Sequence, residues 1–139
     1  MQVSATVISG CTVSASILSF GTTINPTVTS VPVDATSTLS VICTATTPYT
    51  IALDAGVNAG GAANFSARAI KSGVNAIGYQ LYTTTGRNTV WGDGTASTST
   101  DSGTGNGLVQ SVTVYGRLPA LTGAIPGVYI DTVTVTITY

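Results

Sequence analysis

The sequence predicts an all-β protein, a sandwich of many short strands. Runs rich in Val, Ile, Thr and aromatic residues alternate with Gly-, Asn- and Ser-rich turns, and no run shows helical periodicity. From Val133 to Tyr139 the apolar side chains fall on every second residue with threonines between them, the period of a strand with one face against a core. Only 6% of the residues are charged, against about a quarter in an average soluble domain. Hydroxyls and small apolar side chains take their place, which suits an extracellular or multi-subunit setting.

Taken in order, strands are expected over 2–8, 11–20, 27–31, 37–45, 48–54, 65–70, 77–84, 108–116 and 128–139. Turn formers separate them: "NPT" at 25–27, "DAGVNAGGAAN" at 54–64, "KSG" at 71–73 and the long "WGDGTASTSTDSGTGNG" at 91–107. That last stretch lies between two strand patterns, so it reads as a surface loop, or a strand plus loop, and not as a domain boundary. Pro119 and Pro126 flank an irregular connection before the closing strand. The closing "GVYIDTVTVTITY" raises a question, because a strand with an unpaired edge needs a neighbour.

At 139 residues the chain is one domain's worth. Its apolar runs are too short and too broken to span a membrane as helices. Met1 is followed directly by "QVSATV", without a basic or a long apolar leader, so for an exported protein the sequence reads as a mature or engineered chain. A net charge of -1 and the absence of histidine leave no basic footprint for nucleic acid.

Cys11 and Cys43 are the only cysteines. They form no CxxC motif, and no histidine is present to help them hold zinc. Both sit in strand-like contexts, "GCTV" and "SVICTA", which favours a disulfide joining two strands in an oxidising compartment over two buried free thiols.

Catalysis finds little to work with. The titratable inventory is five aspartates and four basic residues, and a serine nucleophile would lack an imidazole base. Lys71 in "AIKSG" reads as a solvated lysine at a strand end. Asp93 and Asp101 are candidate oxygen ligands for a hard cation, but they do not meet the calcium-loop pattern and more simply cap their own turns. No catalytic, metal or cofactor site is expected. "NFS" at 64–66 matches a glycosylation sequon that a buried Phe65 would silence. Tyr79 and Tyr82, three positions apart, point to opposite faces of a strand; with Trp91 and Tyr115 they are expected in packing, the alternative being a glycan platform.

"GCTVSASILSFG" (10–21), "VICTATTPYTIALDAG" (41–56), "GYQLYTT" (78–84), "VWGDG" (90–94), "VYGRLPA" (114–120) and "GVYIDTVTVTITY" (127–139) together resemble the spore coat protein U domain family. Its members include the major subunits of archaic chaperone–usher pili. The ordered set covers nearly the whole chain. "ARAI" places Arg68 and Ile70 only loosely at the family's mid-domain arginine and aliphatic, and the segment ahead of the first cysteine is shorter than in many members.

The resemblance implies an incomplete immunoglobulin-like β-sandwich that lacks its seventh strand. A periplasmic chaperone fills the gap first, and then the N-terminal segment of the next subunit does. On that reading 1–9 is a donor segment with Val3, Ala5 and Val7 on its apolar face, following Met1 in alternation. Residues 10–139 are the sandwich, and Val133, Val135 and Ile137 edge the acceptor groove. The implied role is a structural, non-enzymatic subunit of a cell-surface fibre that supports adhesion and biofilm formation. Its partners would be copies of itself, a chaperone, an outer-membrane usher and a tip adhesin. A tip or glycan-binding module and a spore-coat protein are the alternatives.

Overall fold

The computed structural model describes residues 1–139 and is all-β, with one short 3-10 turn at Phe65–Ala67. The strands are β1 (Cys11–Ala15), β2 (Val33–Cys43), β3 (Pro48–Leu53), β4 (Ala69–Ser72), β5 (Asn75–Gly78), β6 (Gln80–Tyr82), β7 (Asp101–Thr104), β8 (Val109–Leu118) and β9 (Val135–Thr138). One sheet runs β1-β2-β8-β6, a second runs β7-β3-β9, and β4 and β5 form a separate hairpin. All of these pairings are antiparallel.

The two larger sheets close on one core because alternate residues of each face inward. Leu39, Val41 and Cys43 of β2, Leu81 of β6, and Val114 and Leu118 of β8 meet Tyr49, Ile51 and Leu53 of β3. Trp91 is fully buried among them, and its indole Nε1 donates to the Ile51 carbonyl at 3.0 Å. Gly116 on the inner face of β8 has a specific reason to be glycine: a Cβ there would press on Leu18 and Phe20, which cross the core at that point.

Several expected elements differ. Residues 2–8 form no strand, since no other part of the chain runs alongside them. The expected strand over 11–20 stops at Ala15. Residues 27–31 begin in a turn: the Asn25 side chain accepts from the backbone and hydroxyl of Thr27, and its carbonyl from the N–H groups of Val28 and Thr29. The β-branched residues there meet a stronger turn former. The stretch 77–84 breaks at Tyr79 into the ends of β5 and β6, and 65–70 opens as the 3-10 turn before β4. The glycine-rich 91–107 contains β7, whose Ser102 and Gly103 pair with β3. Asp93 takes the backbone and hydroxyl of Thr95, closing its own turn, while Asp101 lies in β7. Phe65 is buried, in the 3-10 turn and not in a strand.

Candidate strand-accepting groove

The last strand and the first are both edges. β9 pairs with β3 only, and β1 with β2 only. The register shows which backbone groups are left over. Asp54 donates its N–H to the Thr134 carbonyl, so in the antiparallel ladder Thr134, Thr136 and Thr138 bond to β3. The N–H and C=O groups of Val133, Val135 and Ile137 therefore point outward along the free edge.

β1 repeats this arrangement. Thr44 donates to the Gly10 carbonyl and Ser16 to that of Thr38, so Cys11, Val13 and Ala15 turn their backbone groups away from β2. The same residues that leave backbone groups free send side chains inward. Cys11, Val13, Val133, Val135 and Ile137 pack on the core yet are only half-buried, whereas Val41, Cys43, Ile51 and Leu53 beside them are 0–2% exposed. Apolar core thus reaches solvent between β1 and β9. Tyr139 shares a shallow surface pocket with Gly10 and Cys11, so the two edges run in opposite directions along the gap.

Cys11 and Cys43 form a disulfide and are direct cross-strand partners, with Cα atoms 4.1 Å apart. The bond fixes the start of β1, one wall of the gap, to the central strand β2.

The entry of the last strand is fixed by a polar cluster that composition and periodicity did not reveal. Asp54 Oδ1 accepts from the N–H groups of Gly56 and Thr134, each at 2.9 Å. Asp131 Oδ1 accepts from Asn58 N–H at 3.2 Å, and its Oδ2 from the Tyr79 hydroxyl at 2.6 Å. The Asn58 amide donates to the carbonyls of Ala69 and Ile130. Arg68, 1% exposed, donates to Gln80 Oε1 and to the carbonyls of Asp54 and Trp91, while its Nε has no partner. Burial lowers its pKa, and burial followed by the Asp131 hydrogen bond raises that of Tyr79 well above the ordinary phenol value. An arginine inside the apolar "NFSARAI" was the available signal: a buried guanidinium needs carbonyls aimed at it.

Val3 and Val7 are 85% and 90% exposed, and Ala5 is exposed between them, so the chain's own groove does not hold them. Lys71 is exposed, Trp91 is core, and Tyr79 is buried while Tyr82 is half-buried. No three His, Cys, Asp or Glu side chains are grouped to hold a metal, and no helix is long and apolar enough to cross a membrane.

A two-sheet β-structure whose first and last strands come near each other with their facing edges unpaired is an incomplete immunoglobulin-like sandwich. The chain belongs to the Spore Coat Protein U domain family, whose model matches residues 1–136. Among solved structures it is similar to a chain of the chaperone–tip adhesion subunit pre-assembly complex CsuC–CsuE, from the archaic chaperone–usher Csu pili of Acinetobacter baumannii. The two are 24% identical over 96% of this chain and 40% of that one, with a TM-score of 0.65, a likeness of fold. The chain thus spans less than half the length of that neighbour. No curated protein sequence matches it.

Proposed function

We propose that the protein is the repeating structural subunit of a cell-surface fibre, joined by insertion of residues 1–9 of one copy into the gap between β1 and β9 of the next. The observation that carries this reading is the pairing register. Both gap-lining edges present free backbone groups at the residues whose side chains turn inward, and an inserted strand needs that combination. Segment 1–9 supplies an exposed alternating strip within the same chain.

Antiparallel to β9, the strip aligns Val3 with Ile137, Ala5 with Val135 and Val7 with Val133. Each larger aliphatic fully buried this way contributes about 1.5–3 kcal/mol, and the backbone bonds add a smaller net term while fixing register. Before assembly the same gap suits a strand lent by a periplasmic chaperone. The family and the fold of the Csu neighbour support that partner, together with export through an outer-membrane usher and a place on the cell surface, with a tip adhesin at the fibre end. With Asp54, Asp93 and Asp131 engaged in turns and strand anchoring and Asp34 held by Arg117, the domain suits a structural and not a catalytic part.

The test is to express Val7→Asp with a chaperone and compare soluble complex with polymer. The expected result is complex without polymer. Normal fibres from Val7→Asp, or a fibre map with residues 1–9 away from the neighbour's β1 and β9, would overturn the reading.

A further inference from the structure

The four aromatic residues weighed above between packing and a glycan platform are separated by the fold. Tyr79 and Trp91 belong to the core, whereas Tyr82 and Tyr115 come together as direct cross-strand partners on β6 and β8. They lie on the outer face of the sheet, because their chain neighbours Leu81, Val114 and Gly116 turn inward. Both are half-buried, so each still presents surface to solvent. Thr36 on β2 extends their row, and the adjacent row pairs Asp34 of β2 with Arg117 of β8.

Arg87 closes the group from the turn after β6, with its backbone in the left-handed region at φ +52°. Its guanidinium carbon lies 5.6 Å from the centre of the Tyr115 ring. Nε donates to the Gly116 carbonyl at 3.1 Å, and the two terminal nitrogens donate to the carbonyls of Thr85 and Ala35. Arg87 is thus locked in place, its side chain 12% exposed, with Nε 3.4 Å from Asp34 Oδ1. Arg117 is more open, at 32%. It holds Asp34 through Nε and Nη2, which leaves Nη1 without a protein partner.

The chain has four cationic side chains. Arg68 is buried and Lys71 stands on the β4–β5 hairpin, so the other two converge here around a single carboxylate. Two arginines against one aspartate make the patch positive on a chain whose net charge is -1. Stability does not account for the arrangement, since ion pairs open to water contribute little and a left-handed arginine is strained.

We propose that this patch binds a carboxylated sugar of an acidic polysaccharide. The free Nη1 of Arg117 meets the sugar carboxylate, and the locked Arg87 adds positive field from the other side. The apolar face of the sugar ring lies on Tyr82 and Tyr115, whose hydroxyls, with that of Thr36, serve the ring hydroxyls. A neutral sugar lacks the ionic contact, and an acidic peptide lacks the ring that the tyrosines cover. The patch lies on the β8–β6 side of its sheet, away from β1 and β9, so the proposal does not rest on strand insertion. In a fibre it recurs in every copy, and weak single contacts add along a long polysaccharide.

The experiment titrates the purified protein with galacturonate oligomers of defined length, and with neutral glucose oligomers and polyglutamate for comparison. Galacturonate should bind best, and salt should weaken it. Arg117→Gln and Tyr82→Ala should each weaken galacturonate binding by about tenfold, while Lys71→Gln leaves it unchanged. Arg117→Lys keeps the charge without the planar fork and should also bind less, which guards against a folding defect in Arg117→Gln; melting curves check each variant. No galacturonate binding, or equal binding of the glucose oligomers, overturns the proposal. So does polyglutamate binding as well as galacturonate with Tyr82→Ala without effect, which shows charge attraction alone. Equal losses in Lys71→Gln and Arg117→Gln overturn the assignment to this patch.

Discussion

The Tyr79 hydroxyl donates to Asp131 Oδ2 at 2.6 Å across 52 residues of sequence, joining the break between β5 and β6 to the entry of the last strand. Gly56 sits directly beneath that carboxylate with φ of +86°, and a Cβ there would collide with Asp131. Two short-range choices thus serve one long-range anchor.

Tyr79→Phe should remove a hydrogen bond to a charged acceptor and lower stability by about 1.5–3 kcal/mol, read by denaturant unfolding of the purified protein. The same substitution should change the alkaline limb. A raised phenol pKa means the folded state keeps a proton that the unfolded chain releases near pH 10, so this contribution is complete below about pH 10 and fades as pH rises beyond it toward the folded value. Tyr79→Phe should flatten that part of the stability–pH curve.

Arg68→Ala should be among the most damaging single changes, at about 3–5 kcal/mol, because it empties a core site and strands the carbonyls of Asp54 and Trp91. Arg68→Lys should not rescue it, since one ammonium cannot reproduce a planar fork reaching three acceptors. Soluble yield with a chaperone and a denaturation midpoint check both. A wild-type midpoint for Arg68→Lys would count against this account.

Reducing the Cys11–Cys43 bond releases a loop with a sequence separation of 32. On the chain-entropy model that loses about 3–4 kcal/mol. It also frees one wall of the gap, so the Cys11→Ser, Cys43→Ser double variant should lose affinity for a synthetic peptide of residues 1–9 as well as stability. Peptide titration separates the two effects.

Asp34 provides a contrast. Arg117 grips it with Nε at 2.7 Å and a second nitrogen at 2.9 Å, and Arg87 approaches from the other side. The Arg117 hydrogen bond leads the lowering of the carboxyl pKa, so the contribution is present above about pH 4 and is lost as pH falls through the lower folded value. The site is open to water, where such pairs contribute little. Asp34→Asn should shift the melting temperature only slightly, and that shift should vanish in high salt.

Much of the fold is legible as alternation. β2, β3 and β8 bury every second residue over most of their length, β9 half-buries Val135 and Ile137, and the matching apolar period is plain in the amino-acid order of those runs. The shorter strands are hidden for physical reasons. Asp101–Thr104 has loop composition and becomes a strand only because β3 offers it a ladder. Tyr79 interrupts an apparently continuous strand because its hydroxyl is directed to Asp131. The cysteines and the groove-edge valines can be picked out by their settings. The Arg68 cluster cannot, because its partners are mostly carbonyls, which every residue carries and no sequence displays.

The seam between β1 and β9 carries no charged side chain: none occurs in residues 1–15, and none from Thr132 to Tyr139. Nothing there can steer an incoming strand from a distance, so encounter depends on a carrier or on ordinary diffusion. Once the strand is seated, its side chains and those of the two edges also present no charge for dissolved ions to screen. A joint of this kind is indifferent to brine and to mild acid, and strongly hydrated salts that favour burial of apolar surface tighten it. In the proposed fibre, mechanical integrity is then decoupled from the ionic composition of the surroundings.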